Sequence, residues 1–176
     1  MVFSILLVED NDGFRQTLID TLIGHFAEIS IGEANNAKDA LIKAEALCPD
    51  LIFMDISLPG ETGLEATRKL AMRYERSLVV VLTSYDLPEY RRQAFRNGAD
   101  DFISKTDHGC LQRVIAEVEK AMTEKERLTS QESRSARPRG LLLPQTGGAA
   151  VSSSNGESGF SVRGFLPCAL PALFPR

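Results

Sequence analysis

Along the first 127 residues one scheme repeats: a short apolar run, then a longer stretch in which apolar residues recur every three or four positions. The runs are Phe3–Val8, Ile29–Glu33, Leu51–Met54, Leu78–Leu82 and Asp101–Ile103, short and β-branched enough to predict strands. The stretches between them predict helices over Gly13–His25, Ala37–Leu47, Thr62–Arg73, Pro88–Asn97 and His108–Arg127. Asn36 and Asp107 stand where an N-cap is needed, and Gly98, just past Asn97, supplies a helix stop. Runs as apolar as Ser4–Val8 and Leu78–Leu82 leave no polar face for solvent, which calls for helices on both sides of a parallel sheet. The alternation therefore predicts one α/β domain, a doubly wound sheet of five parallel strands with five helices.

Composition changes the picture at Leu128. Residues 1–127 carry 22 acidic and 15 basic side chains, a net charge of −7, whereas residues 128–176 carry 2 and 5, a net charge of +3. In the latter segment Ser, Gly and Pro make up 19 of 49 residues, above the roughly 25–30% at which aperiodic segments stay disordered. Its apolar pieces, Leu141–Leu143 and the run from Phe165 to Phe174, are short and broken by Pro167 and Pro171. Residues 128–176 are expected to form a disordered tail. No stretch approaches the roughly 18 uncharged apolar residues of a membrane span, and no basic segment precedes the acidic turn at Glu9 and Asp10. A cytoplasmic chain is expected. Cys48, Cys110 and Cys168 are odd in number and widely spaced, which argues against a disulfide framework and a cysteine zinc site.

In an open parallel sheet, ligands bind at the carboxyl ends of the strands, so the residues just after each apolar run carry the chemistry. Glu9 and Asp10 follow the first run, Asp55 the third, Thr83 the fourth and, two residues on, Lys105 the fifth. Two carboxylates about 5 Å apart repel by roughly 3 kcal/mol at an effective dielectric near 20, so three of them need a counter-charge. Lys105 and a hard divalent cation such as Mg²⁺ would supply it, oxygen donors being what Mg²⁺ prefers. Such a site suits Asp55 as a nucleophile toward phosphorus, with Thr83 placed to donate its hydroxyl to the product.

These residues and their order resemble the receiver domain of two-component response regulators, over about residues 2–125. The resemblance implies a flavodoxin-like fold and Mg²⁺-dependent transfer of a phosphoryl group to Asp55 from a histidine kinase or phosphotransfer protein, followed by slow hydrolysis. It implies Asp10 as a direct metal ligand, Glu9 acting mainly through water, and the backbone carbonyl of Ser57 as a further ligand beside Asp55. Asp55 stands in Met54–Gly63, with Pro59 and Gly63 as the loop proline and glycine of that family. Thr83 resembles the switch hydroxyl, Phe102 the switch aromatic and Lys105 the lysine of that family. The implied output surface comprises Pro88–Asn97, Asp101–Ile103 and His108–Arg127. Tyr85, Tyr90, Arg91 and Phe95 are its contact candidates, toward a partner or a second copy in a phosphorylation-dependent homodimer. Ser57 and Tyr85 border the path of the hydrolytic water.

Two positions depart from the family pattern. Thr106 follows Lys105 where a proline after a cis peptide is usual, and a cis bond without proline costs about 2.5–4 kcal/mol. Phe102 stands where many members have Tyr. Taken singly, Asp10, Thr83, Lys105, Gly63 and Phe102 would read as turn, strand-end, surface, turn and core residues; their joint order overrides that. His25 and His108 have no evident partner. The net charge of −7 argues against direct nucleic-acid binding by residues 1–127 despite Arg91, Arg92 and Arg96. Two alternatives compete with a stand-alone receiver: the receiver part of a DNA-binding transcription regulator whose helix-turn-helix output domain is missing, and a dimerisation module without phosphotransfer. A haloacid-dehalogenase-like phosphatase would need an acid where Ser57 stands.

Overall fold

The computed structural model describes residues 2–135, with side chains as far as Gln131. The elements run β1 (Phe3–Val8), α1 (Asp12–His25), β2 (Ile29–Ala34), α2 (Ala37–Leu47), β3 (Leu51–Met54), α3 (Gly63–Arg73), β4 (Leu78–Thr83), α4 (Pro88–Arg96), β5 (Asp101–Ser104) and α5 (Cys110–Ser135). The strands form one parallel sheet in the order β2-β1-β3-β4-β5, so β3 is central.

Period-two alternation within apolar runs divides the core between the two faces. Ile5, Leu7, Phe53, Val80 and Leu82 pack with Leu18, Leu22, Val114 and Val118 of α1 and α5. Leu6, Val8, Ile52, Met54 and Val79 pack with Ala40, Ala44, Ala66 and Leu70 of α2 and α3. A third cluster under α4 gathers Phe102, Ile56, Leu64, Val81 and Ala94. Small residues on α2 let it lie close to the sheet, while bulkier ones on α1 and α5 fill the opposite face.

Several boundaries differ from expectation for local reasons. Strands β2, β4 and β5 each run one residue past their apolar run, because pairing continues at Val8↔Ala34 and Thr83↔Ser104. Asn11 caps α1 by accepting from the Phe14 N–H at 2.9 Å, so that helix starts at Asp12. Asn36 caps α2 in the same way, accepting from the Asp39 N–H, and Thr62 caps α3 rather than lying inside it. Asp107 does not cap α5: its carbonyl accepts from the Cys110 N–H within a turn, and its carboxylate lies 3.7 Å from Arg113. Gly98 follows α4 with φ +91°, as a helix stop requires. Helix α5 runs to Ser135, past the expected boundary at residue 127, and neither Gly nor Pro intervenes before Pro138. The remainder of the expected tail, 136–176, lies outside the described residues. Among the described residues no helix is long and apolar enough to cross a membrane.

Candidate functional site

Strand order brings the marked residues together. β1 and β3 are neighbours with Val8 opposite Met54, so Glu9, Asp10 and Asp55 emerge side by side at the carboxyl edge. Asp55 is anchored by its N–H to the Val8 carbonyl at 2.9 Å, and Glu9 by its N–H to the Ala34 carbonyl at 2.9 Å. From β5, the Lys105 N–H donates to the Thr83 carbonyl at 2.8 Å, and its side chain turns back over the central strand. The Lys105 Nζ lies 2.7 Å from Asp55 Oδ2 and 2.5 Å from Glu9 Oε2. The peptide bond between Lys105 and Thr106 is trans.

Glu9 and Asp55 are buried, at 2% and 5% exposure, whereas Asp10 is exposed at the rim. One carboxylate oxygen from each of the three lies within 4.8 Å of the others. With Lys105 the set carries two excess negative charges, which a divalent cation would balance, and its donors are all hard oxygens. The residues present therefore fit Mg²⁺. Both Glu9 oxygens already have protein partners, Lys105 on Oε2 and the Asn11 N–H at 3.2 Å on Oε1, while Asp10 faces solvent. On Asp55, Oδ2 meets Lys105 and Oδ1 accepts from the Ser57 N–H at 3.2 Å.

Burial pushes the Glu9 carboxyl above its usual range; Lys105 opposes the shift and the neighbouring Asp55 charge adds to it. A raised carboxyl contributes stability that is complete below its unfolded-state value and is lost as pH rises through the folded-state value. In metal-free buffer, Glu9→Gln should therefore gain stability over the wild type as pH rises from acid to neutral. Urea midpoints across that range check this, and a gap that widens in the wild type's favour would contradict it.

Thr83 and Phe102 take positions that contact Asp55 through no hydrogen bond among the described residues. Thr83 is fully buried, and its Oγ1 accepts from the Tyr85 N–H at 3.2 Å. Phe102 is fully buried under α4, with the Arg91 guanidinium 4.5 Å from its ring centroid. Tyr85, Leu87 and Phe95 are each about half exposed around α4, at 51%, 50% and 46%, and Tyr90 meets Tyr85 edge-on at 6.1 Å. His25 and His108 lie outside the site: His25 ends α1 beside Phe26, and His108 is exposed in the turn before α5.

Three contributors escaped sequence reasoning or were undervalued by it. Arg15 donates from one terminal nitrogen to the Glu9 carbonyl at 2.7 Å and also pairs with Asp12 and Glu33, tying the acidic turn to α1 and β2. Phe14 lies under the Lys105 ammonium, 4.9 Å from Nζ to ring centroid, a cation–π distance. Both sit in the first turn of α1, where side chains lean back toward the helix N-terminus and so toward the strand end; that position was the available signal. Gly63 is the third. A Cβ there would stand 1.7 Å from the Asp55 carbonyl oxygen, while its N–H donates to the Ile56 carbonyl at 3.0 Å. Gly63→Ala must push the acceptor loop off its path and should cost about 3 kcal/mol, the upper end of overpacking penalties, in urea unfolding. A change within about 0.5 kcal/mol, the size of a neutral surface substitution, would contradict this.

The structure is thus a doubly wound parallel sheet with an acidic pair, a further carboxylate and a lysine gathered at its carboxyl edge. The family model for the response regulator receiver domain matches residues 5–116, and the chain belongs to that family, the receivers of two-component systems. It is similar to the nitrate/nitrite response regulator protein NarL of Escherichia coli K12, 35% identical over 103 residues covering 58% of this chain and 47% of NarL. It is 32% identical over 116 residues to the DNA-binding transcriptional activator DevR/DosR of Mycobacterium tuberculosis, covering 65% of this chain and 53% of that protein. A solved structure of a response regulator from Burkholderia pseudomallei, with a phosphorylated aspartic acid, a calcium ion and citrate, is 26% identical with a TM-score of 0.56, over 70% of this chain and 74% of that one. The chain spans about half the length of the curated relatives it matches.

Proposed function

We propose that this chain is a phosphorylatable receiver in which Asp55 accepts a phosphoryl group from a histidine kinase or phosphotransfer protein in the cytoplasm, and that the modification switches a protein-interaction surface. The observation that carries this reading is the placement of the Asp55 carboxylate between the Ser57 N–H and the Lys105 ammonium, beside Glu9 and Asp10. The phosphorylated aspartic acid and the cation of the Burkholderia structure support it. We assign the receiver unit to residues 1–127 and leave 128–176 outside it.

The transfer forms an oxygen–phosphorus bond from an Asp55 Oδ as the phosphorus–nitrogen bond of the donor histidine breaks. Asp10, Asp55 and the Ser57 carbonyl, with Glu9 acting through water, would hold Mg²⁺, which when bound neutralises charge on the phosphoryl oxygens. Lys105 follows the transferring group from Asp55 Oδ2 and stabilises its developing charge. Thr83, whose oxygen accepts from the Tyr85 N–H, then donates its hydroxyl proton to a phosphoryl oxygen, drawing the segment after β4 toward the site. Phe102 and the Arg91 stacked on it feel that movement across the cluster under α4. The acyl phosphate carries about −1.5 to −2 charges where the carboxylate carried one, and it brings three new acceptor oxygens into a site that already holds excess negative charge, which biases the neighbouring loop. The output face is α4–β5–α5, where Tyr85, Leu87 and Phe95 are exposed for a partner or a second copy. Hydrolysis resets the switch, with Ser57 and Tyr85 flanking the water's approach.

Likeness to DevR/DosR favours a second reading, in which this receiver serves a DNA-binding transcription regulator. The −7 charge of residues 1–127 makes these residues poor DNA ligands on their own, so that reading needs a separate effector domain. Incubation with a small acyl-phosphate donor tests the common core of both readings. Intact mass should show one added phosphoryl group with Mg²⁺ and none after chelation; no addition, with a known receiver reacting alongside, would contradict it.

A further inference from the structure

We propose that Ser104 and Thr106 form a hydroxyl clamp that straddles Lys105 and positions its ammonium against Asp55. Lys105 stands at the point where β5 gives way to the turn before α5, a place where backbone direction is least constrained by pairing. Its last ladder bond runs from its own N–H to the Thr83 carbonyl at 2.8 Å, and the next return contact, from the Asp107 N–H to the Ser104 carbonyl, is 3.3 Å long. Between these two bonds the chain is held by side chains. The Ser104 Oγ and Thr106 Oγ1 lie 2.7 Å apart, and the Thr106 N–H donates to the same Ser104 oxygen at 3.3 Å.

The Asp107 N–H to Ser104 carbonyl bond makes Lys105 and Thr106 the two central residues of a turn, and the Ser104–Thr106 hydroxyl contact closes across Lys105 within it. Ser104 is fully buried, and a buried hydroxyl holds its partner firmly because the alternative is an unmet polar group. Thr106 is exposed, and its hydroxyl would otherwise turn to water. The clamp therefore fixes the two dihedrals of Lys105 from both sides. This matters because the lysine side chain has four rotatable bonds and must deliver Nζ to within 2.7 Å of one carboxylate and 2.5 Å of another. Small rotations at its Cα would be amplified along the side chain and withdraw the ammonium. Ser104 and Thr106 are thus positioning residues, acting through Lys105. The functional consequence rests on the reading of Asp55 as phosphoacceptor.

The test uses the full chain in two measurements. Competitive acylation of amines, read by peptide mass spectrometry, reports the protection of Lys105 against exposed Lys120 as internal reference; the rate of phosphorylation at saturating Mg²⁺ reports the consequence. Thr106→Val, which removes only the hydroxyl from an exposed position, should raise Lys105 labelling several-fold and slow phosphorylation about tenfold, as a modest misplacement of a catalytic group does. Ser104→Ala should match it, and Thr106→Ser should restore both readouts. In a Lys105→Met background, Thr106→Val should slow the reaction no further, whereas a purely structural role would add its own loss. Unchanged Lys105 labelling in folded Thr106→Val and Ser104→Ala overturns the clamp. If the wild type accepts no phosphoryl group while the labelling contrast holds, the phosphoacceptor reading is overturned and the clamp stands as a device for placing Lys105.

Discussion

Asp55→Asn is expected to take up no phosphoryl group under conditions in which the wild type takes up one, and to do so as a folded protein. The substitution is nearly isosteric and keeps the acceptor that meets the Ser57 N–H. What it removes is the anionic oxygen, and a carboxamide is too poor a nucleophile to displace a phosphoryl donor. The loss should therefore be complete within the sensitivity of intact mass, while circular dichroism stays that of the wild type. A second signature follows from the neighbour. The Asp55 charge is one of the causes that raise the Glu9 carboxyl, so that carboxyl should move back toward its ordinary range in the variant. Full phosphorylation of Asp55→Asn would place the acceptor elsewhere.

Lys105→Met is expected to damage both stability and chemistry. The ammonium is 10% exposed and bridges two carboxylates that are 3% and 6% exposed, so its removal leaves two buried like charges facing each other. Breaking a buried pair by deleting one partner costs about 3–5 kcal/mol. Methionine fills the volume and retains contact with the Phe14 ring, which confines the effect to the charge. Metal-free urea unfolding should show a loss of about 3 kcal/mol, and Mg²⁺ should recover part of it by supplying the missing positive charge. Phosphorylation at saturating Mg²⁺ should still fall by about two orders of magnitude, the scale of losing one electrostatic contact in a transition state. Stability within about 0.5 kcal/mol of wild type would show that the bridge is screened like a surface pair.

Much of this architecture is legible in the sequence because α/β folds announce themselves twice, by fully apolar strands and by chemistry confined to strand ends. The five runs and five helical stretches all appear in place, and Glu9, Asp10, Asp55 and Lys105 do converge at one edge. Strand ends were misjudged where polar residues continue the ladder: nothing apolar marks Ser104 or Thr83 as paired, yet they face each other across β4 and β5. Asn11 caps α1 directly after the acidic pair, where its sequence context does not separate a cap from a turn residue, whereas Asp107 has the residue type of a cap and instead serves a turn. The support around the site was harder to see. Arg15 and Phe14 reach the acidic turn and Lys105 only because helical side chains lean toward the N-terminus. Gly63 is required by a carbonyl eight positions earlier, a closeness that only the folded loop creates. The extension of α5 past residue 127 was hidden by a compositional average over 49 residues, whose Gly and Pro begin only at Pro138.

Chemical reduction reveals where the phosphoryl group resides. Borohydride reduces an aspartyl phosphate to the alcohol, leaving homoserine in place of aspartate, and peptide mass spectrometry locates the change. After reaction with a small acyl-phosphate donor and Mg²⁺, homoserine is predicted at position 55, absent when the metal is chelated. Homoserine at another acidic position, or a phosphoryl group that survives on Ser, Thr or His instead, would contradict the central claim.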